Sequence, residues 1–268
     1  MSKFHTADIY RFSRKSKIAL CIVTIFALAG FTWPFFAPTQ NVATFSQYFF
    51  WVALPASLFL LISQLSDHTL DAKSIALLGT LAALLAALRP LGAGAVGLEP
   101  MWFLLILAAR VFGLAFGFLL GILGMLASAL LTGGIGPWLS YQLFAAGLVG
   151  LLAGVLPKNW RGKLEISALI AFGIFASFFF GFLMDLQFWP WALGTQTQLS
   201  YQAGDALLEN LQRFIAFHFL SSMAWDIPRA ILTSILLALT APAVLSALRR
   251  TKVKAAFLTP IEFTERLK

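Results

Sequence analysis

PMWFLLILAARVFGLAFGFLLGILGMLASALLT, residues 100–132, holds one charge, Arg110, in thirty-three positions. Everything downstream depends on whether it crosses a bilayer once or twice. A crossing needs about 20 apolar residues, so the stretch is too long for one span and short for two. A charge at the middle of the bilayer is costly and rare. Arg110 therefore reads as the end of a short segment, 100–110, with a second segment over 111–132.

Similar apolar blocks lie at about 18–37, 48–65, 73–90, 137–157, 163–185 and 226–248. Eight segments in all predict an all-α integral membrane protein with both termini on one side. The composition agrees: the chain is 60% hydrophobic and 11% charged over 268 residues, with a mean hydropathy of +0.86. A soluble domain carries about a quarter charged residues.

The sidedness of the basic residues tests this map, because that asymmetry did not enter it. Lys3, Arg11, Arg14, Lys15, Lys17, Lys73, Arg110, Lys158, Arg161, Lys163, Arg249, Arg250, Lys252, Lys254, Arg266 and Lys268 fall on one side. Only Arg89, Arg213 and Arg229 fall on the other. By the positive-inside rule the first side is cytoplasmic, and so are both termini. Joining 100–132 into one span would invert the later loops and spoil the asymmetry. The net charge of +8 is thus a record of topology, and nucleic acid is not an expected partner; the lipid bilayer is.

Near the N-terminus, bases followed by an apolar run resemble a secretory signal. Thr32-Trp33-Pro34-Phe35-Phe36 lacks a small-residue cleavage site, so an uncleaved first helix is expected. Cys21 is the lone cysteine, which excludes an internal disulfide and a thiolate metal cluster. No metal site or cofactor is expected. His5, His68 and His218 are scattered, and no HExxH, GxSxG or GxxxxGK[ST] is present, so neither an enzyme nor an ATPase is expected.

Outer-side features are richer. Trp33, Trp51, Trp102, Trp138, Trp189, Trp191 and Trp225 all map to outer ends, and Trp160 alone is inner. Interfacial belts occur at both faces, so some of these rings are expected to line an external site. The loop from Arg89 to Glu99 carries three glycines between its charges. The turn Gly133-Gly134-Ile135-Gly136-Pro137-Trp138 leads to Tyr141 and Gln142. Trp225-Asp226-Ile227-Pro228-Arg229 sets two opposite charges three residues apart, on one helix face. With Trp102, these residues are candidates for a shared binding site; the alternative for each is an interfacial anchor or a structural pair. The long connection 187–225 contains an amphipathic helix over about 201–223, lying on the outer surface. Leu207, Leu208, Leu211, Ile215, Phe219 and Leu220 form its apolar side, and Asp205, Glu209, Gln212 and Arg213 its polar side.

Small residues recur in ladders: Ala82, Ala83, Ala86 and Ala87; Gly113, Gly117 and Gly121; Gly150 and Gly154. Such faces let helix backbones approach closely, within the chain or against another subunit.

At these residues the chain resembles the substrate-binding S components of energy-coupling factor (ECF) vitamin transporters. The similar stretches are Arg89-Pro90-Leu91-Gly92 through Glu99-Pro100, Phe116-Gly117-Phe118-Leu119-Leu120-Gly121, the turn from Gly133 to Trp138 with Gln142, and Trp225-Asp226 with Arg229. The likeness covers 73–250, about two thirds of the chain. It implies a six-helix core in a bacterial plasma membrane that captures a vitamin-like small molecule outside, of the cobalamin type or a related compound. It further implies work with a transmembrane scaffold subunit and two ATPase subunits, and a docking face on Ala82, Ala83, Ala86 and Ala87. The hairpin at 18–65 within residues 1–72 is a departure from the family pattern, and 251–268 is a cytoplasmic tail. A non-transport accessory or assembly protein is the rival reading.

Overall fold

The computed structural model describes residues 12–36, 72–92, 97–193 and 197–254. All regular structure among them is helical. The helices are α1 (Arg14–Thr32), α2 (Ala72–Leu88), α3 (Met101–Phe112), α4 (Leu114–Thr132), α5 (Leu139–Val155), α6 (Gly162–Ala192), α7 (Leu207–Ser221) and α8 (Met223–Lys254). Five segments are long and apolar enough to cross a membrane: Ser16–Phe35, Ala72–Gly92, Leu114–Thr132, Gly162–Ala192 and Met223–Val253. Met101–Phe112 and Leu139–Val155 are shorter apolar helices. The described residues are therefore all-helical and fit a multi-pass membrane protein. The expected segment at 48–65, and with it the second arm of the N-terminal hairpin, lies outside the described residues.

The break in the opening stretch is local and sharp. Gly113 adopts φ +108°, a conformation open to glycine but strained for other residues, and it ends α3 and starts α4 without a loop. Every residue of α3 except Phe103 is buried. At 1.5 Å per residue it is about 18 Å long, well short of a bilayer core of about 30 Å. It survives as a short element because α4, α5, α6 and α8 surround it.

Outside this core the helices present apolar stripes to the surroundings. Ile18, Ile22 and Ile25 on α1, and Ile231, Ile235 and Leu239 on α8, are each about half exposed or more. Stripes of that kind suit lipid and would be a liability in water. α7 carries the same signature. Asn210, Phe214 and Phe217 face inward, while Leu207, Leu208, Leu211, Ile215, Phe219 and Leu220 face out. It begins six residues later than the periodicity suggests. Gly204 takes φ +93°, and the Asn210 amide binds both backbone groups of Gln202, holding 201–206 as a turn.

The glycine ladders serve internal contact. A Cβ added to Gly117 would sit 2.3 Å from the Gly150 carbonyl oxygen, and one on Gly121 would sit 2.2 Å from that of Ala146. α4 and α5 thus touch backbone to backbone. The alanine ladder divides: Ala82 and Ala86 are buried, and Ala83 and Ala87 are exposed.

Charge is sorted to the two ends of the bundle. Arg89 and Arg229 lie at one end; Arg110, Lys158, Arg161, Arg249 and Lys252 gather at the other. Along α8 alone, Arg229 and Arg249 are about 30 Å apart at 1.5 Å per residue.

Candidate functional site

A cavity of about 450 Å³ opens where α5, α6 and α8 begin or end beside the loop after α2. Arg89, Glu99, Trp138, Gln142, Trp225, Asp226 and Arg229 all line it, joined by Phe180, Gly181, Met184, Asp185, Gln187, Phe188, Ser221 and Ser222. Seven of the nine candidate site residues, drawn from separate stretches of chain, are therefore brought to one wall. Trp138 and Trp225 are both about half exposed there.

A polar network forms the floor. Arg229 Nη1 donates to Asp226 Oδ1 at 2.6 Å and to the Ser177 carbonyl at 3.3 Å, and its Nε donates to Glu99 Oε2 at 3.3 Å. Ser222 Oγ donates to the other Asp226 oxygen at 2.6 Å. Glu99 also accepts from Arg89 Nε at 3.3 Å and from the Trp102 indole at 3.0 Å. Asp226 is completely buried, so each carboxylate oxygen needs the partner it has. The Arg229 guanidinium lies 5.2 Å from the centre of the Phe180 ring, within cation–π range. Burial alone would raise the Glu99 carboxyl; Arg229, Arg89 and the Trp102 indole outweigh it and hold the group below its ordinary value. Glu99 is thus ionised at neutral pH, and it ties the loop after α2 to α8.

Glycine makes this geometry possible at two positions. Gly97, at φ +72°, packs its backbone against the Trp225 carbonyl, where a Cβ would come within 2.0 Å. On α6, a Cβ at Gly181 would lie 1.9 Å from Asp226 Oδ1. The bare α6 backbone leaves the space that the Asp226 carboxylate occupies.

Two candidates sit elsewhere. Trp102 is buried beneath the floor, against Phe180 at 4.5 Å, and acts on the cavity through Glu99. Tyr141 is buried against Phe31 at 5.0 Å and does not line the cavity. Trp33 and Trp189 are likewise buried, in a ring cluster with Tyr201.

The sequence reading missed Asp185 and the side chains around it. His218 Nδ1 lies 2.9 Å from Asp185 Oδ2, and Ser221 Oγ donates to the same oxygen at 3.3 Å. An acid closing an apolar segment and a histidine on the amphipathic helix that follows were the available signal. No group of side chains able to hold a metal ion occurs among the described residues.

No family model matches the chain, and neither a curated protein nor a solved structure matches it.

Proposed function

We propose that this chain is the membrane-embedded substrate-binding subunit of an ECF-type importer, capturing a small vitamin-like molecule in the cavity beside Arg229. One observation carries the reading: seven residues chosen from three separate stretches line a single cavity of about 450 Å³. That volume lies in the range of small-molecule sites, about 300–1,000 Å³. Aromatic walls with a few fixed polar groups suit a molecule of one or two rings. In this reading the cavity end faces outward, the termini are cytoplasmic, and eight segments cross a bacterial plasma membrane. Uptake requires a scaffold subunit and two ATPase subunits. The docking face for the scaffold is the exposed half of the alanine ladder, Ala83 and Ala87, with Gly79 on the same helix.

Binding and coupling are separable. Trp138→Ala is expected to weaken binding of the transported vitamin at least tenfold by calorimetry. Lost stacking contributes on the order of 1 kcal/mol, and the lost apolar area adds to it. Trp160→Ala, at the other end of the bundle, should bind normally. Equal affinities would return Trp138 to an interfacial anchor. Ala83→Leu is expected to abolish co-purification with the scaffold and uptake while leaving binding intact, because bulk on a small-residue face blocks close approach. Retained uptake by Ala83→Leu would exclude this docking face.

A further inference from the structure

Five charged side chains line the cavity beside Arg229: the carboxylates of Glu99, Asp185 and Asp226, and the guanidiniums of Arg89 and Arg229. Two of the three acids are fully occupied. Asp226 Oδ1 accepts from Arg229 and Oδ2 from Ser222, while Glu99 Oε1 accepts from Arg89 and Oε2 from Trp102 and Arg229. Asp185 differs. Its Oδ2 lies within hydrogen-bond reach of His218 Nδ1 at 2.9 Å and accepts from Ser221 Oγ at 3.3 Å. Neither guanidinium pairs with it. Those bonds tie α6 to α7 and hold the carboxylate in place. Among the described residues Oδ1 has no partner, and it is not sealed from the cavity. Anchoring α7 accounts for one oxygen of Asp185 and not for the other. A carboxylate oxygen 14% exposed as part of its side chain is a strong acceptor, best matched by a charged N–H donor.

The guanidiniums keep donors open in the same cavity. Within the protein Arg89 donates through Nε, and Arg229 through Nε and Nη1. Both Nη groups of Arg89, and Nη2 of Arg229, are bonded to none of the described residues. Glu99 is held by both side chains, so the two guanidiniums lie close together. The open acceptor and the open donors stand at different levels of α6. Asp226 packs on Gly181, and Arg229 donates to the Ser177 carbonyl, one turn toward the middle of the helix. Asp185 is one turn from Gly181 in the other direction, about 6 Å along the axis. Trp138, Phe188 and Trp225, each about half exposed, give the wall its aromatic surface.

We propose that the ligand of this cavity is a ring-bearing zwitterion, whose ammonium group donates to Asp185 Oδ1 and whose carboxylate accepts from Arg89 and Arg229. The inference deepens the small-molecule reading of the cavity and rests on it. A ligand that enters strips water from Oδ1 and from the free Nη groups, and each then needs a replacement partner. A solely anionic ligand leaves Asp185 desolvated and unanswered. A solely cationic one does the same to the guanidiniums. A ring between the two charges lies against the aromatic wall.

Three compounds of one shape test this on the full chain in detergent, by calorimetry. para-(Aminomethyl)benzoate carries both charges across one ring; para-methylbenzoate lacks the amine, and para-methylbenzylamine lacks the carboxylate. The wild type should bind the zwitterion at least tenfold more tightly than either, the factor or more that a hydrogen bond to a charged group carries. That comparison needs no variant, so misfolding cannot mask it. Asp185→Asn keeps the shape and removes the charge. It should bind para-(aminomethyl)benzoate and para-methylbenzoate alike. Equal wild-type affinity for the three, tighter binding of a singly charged compound, or no binding of any would overturn the assignment. So would an unchanged preference in Asp185→Asn. Uptake with the partner subunits decides the importer reading separately. A chain that prefers the zwitterion and supports no uptake keeps this assignment and loses the importer, and one that imports without the preference loses this assignment alone.

Discussion

Arg229→Ala is expected to cost the folded chain about 3–5 kcal/mol, the penalty for removing one partner of a buried ion pair. The side chain is 7% exposed and Asp226 is not exposed at all. Truncation strands the Asp226 carboxylate with only the Ser222 hydroxyl, and it removes one of two cations from Glu99. Unfolding in detergent, followed by tryptophan fluorescence against denaturant, measures the loss. Asp226→Ala combined with Arg229→Met should recover much of it, because removing both charges leaves nothing buried and unpaired. Arg213→Ala is the comparison: that residue pairs with Asp205 at 2.6 Å, but both side chains are partly exposed. Its loss should cost about 1 kcal/mol or less. Equal costs at Arg213 and Arg229 would mean that the cavity floor is far more hydrated than its burial implies.

Gly117→Ala is expected to be nearly as damaging, although it adds a single methyl group. The atom in its way is the Gly150 carbonyl oxygen, part of a helix backbone that cannot rotate aside. Separating α4 from α5 to admit a Cβ would disturb the most extensive helix contact in the bundle. Overpacking of this kind costs about 1–3 kcal/mol, occasionally more. Gly79→Ala adds the same methyl to α2 with nothing within 4 Å. It should be neutral or slightly stabilising, since alanine favours helix over glycine by up to about 1 kcal/mol. A thermal-shift series across the two variants separates contact from propensity; similar melting temperatures would contradict the close α4–α5 approach.

Much of the helical plan was legible because lipid imposes a simple rule on composition. Arg110 marked the division of 100–132, since a charge is expensive inside a continuous span; the break itself falls three residues on, at Gly113. Finer placement depended on rotation about each helix axis, which sequence alone fixes poorly. Trp138 and Gln142 are four residues apart and share a face, so both reach the cavity. Tyr141, one residue from Gln142, is rotated by about 100° and meets Phe31 instead. The same rotation divides the alanine ladder, sending Ala82 inward and Ala83 outward. Asp185 and His218 were not legible as a pair. They come from separate helices joined by a long connection, and nothing local marks their meeting.

Gly181 has a consequence for how this chain can change over generations. No side chain can be accepted there while Asp226 keeps its place, and Asp226 holds Arg229, which in turn holds Glu99. A lineage that acquired alanine at 181 would have to surrender the acid in the same step, and then find a new partner for the Arg229 guanidinium or lose it too. The positions therefore form one heritable block, and drift at any single member is closed off. Variation in what the cavity accepts is left to the residues outside that block, Trp138, Gln142, Met184 and Phe188, whose side chains can be exchanged one at a time.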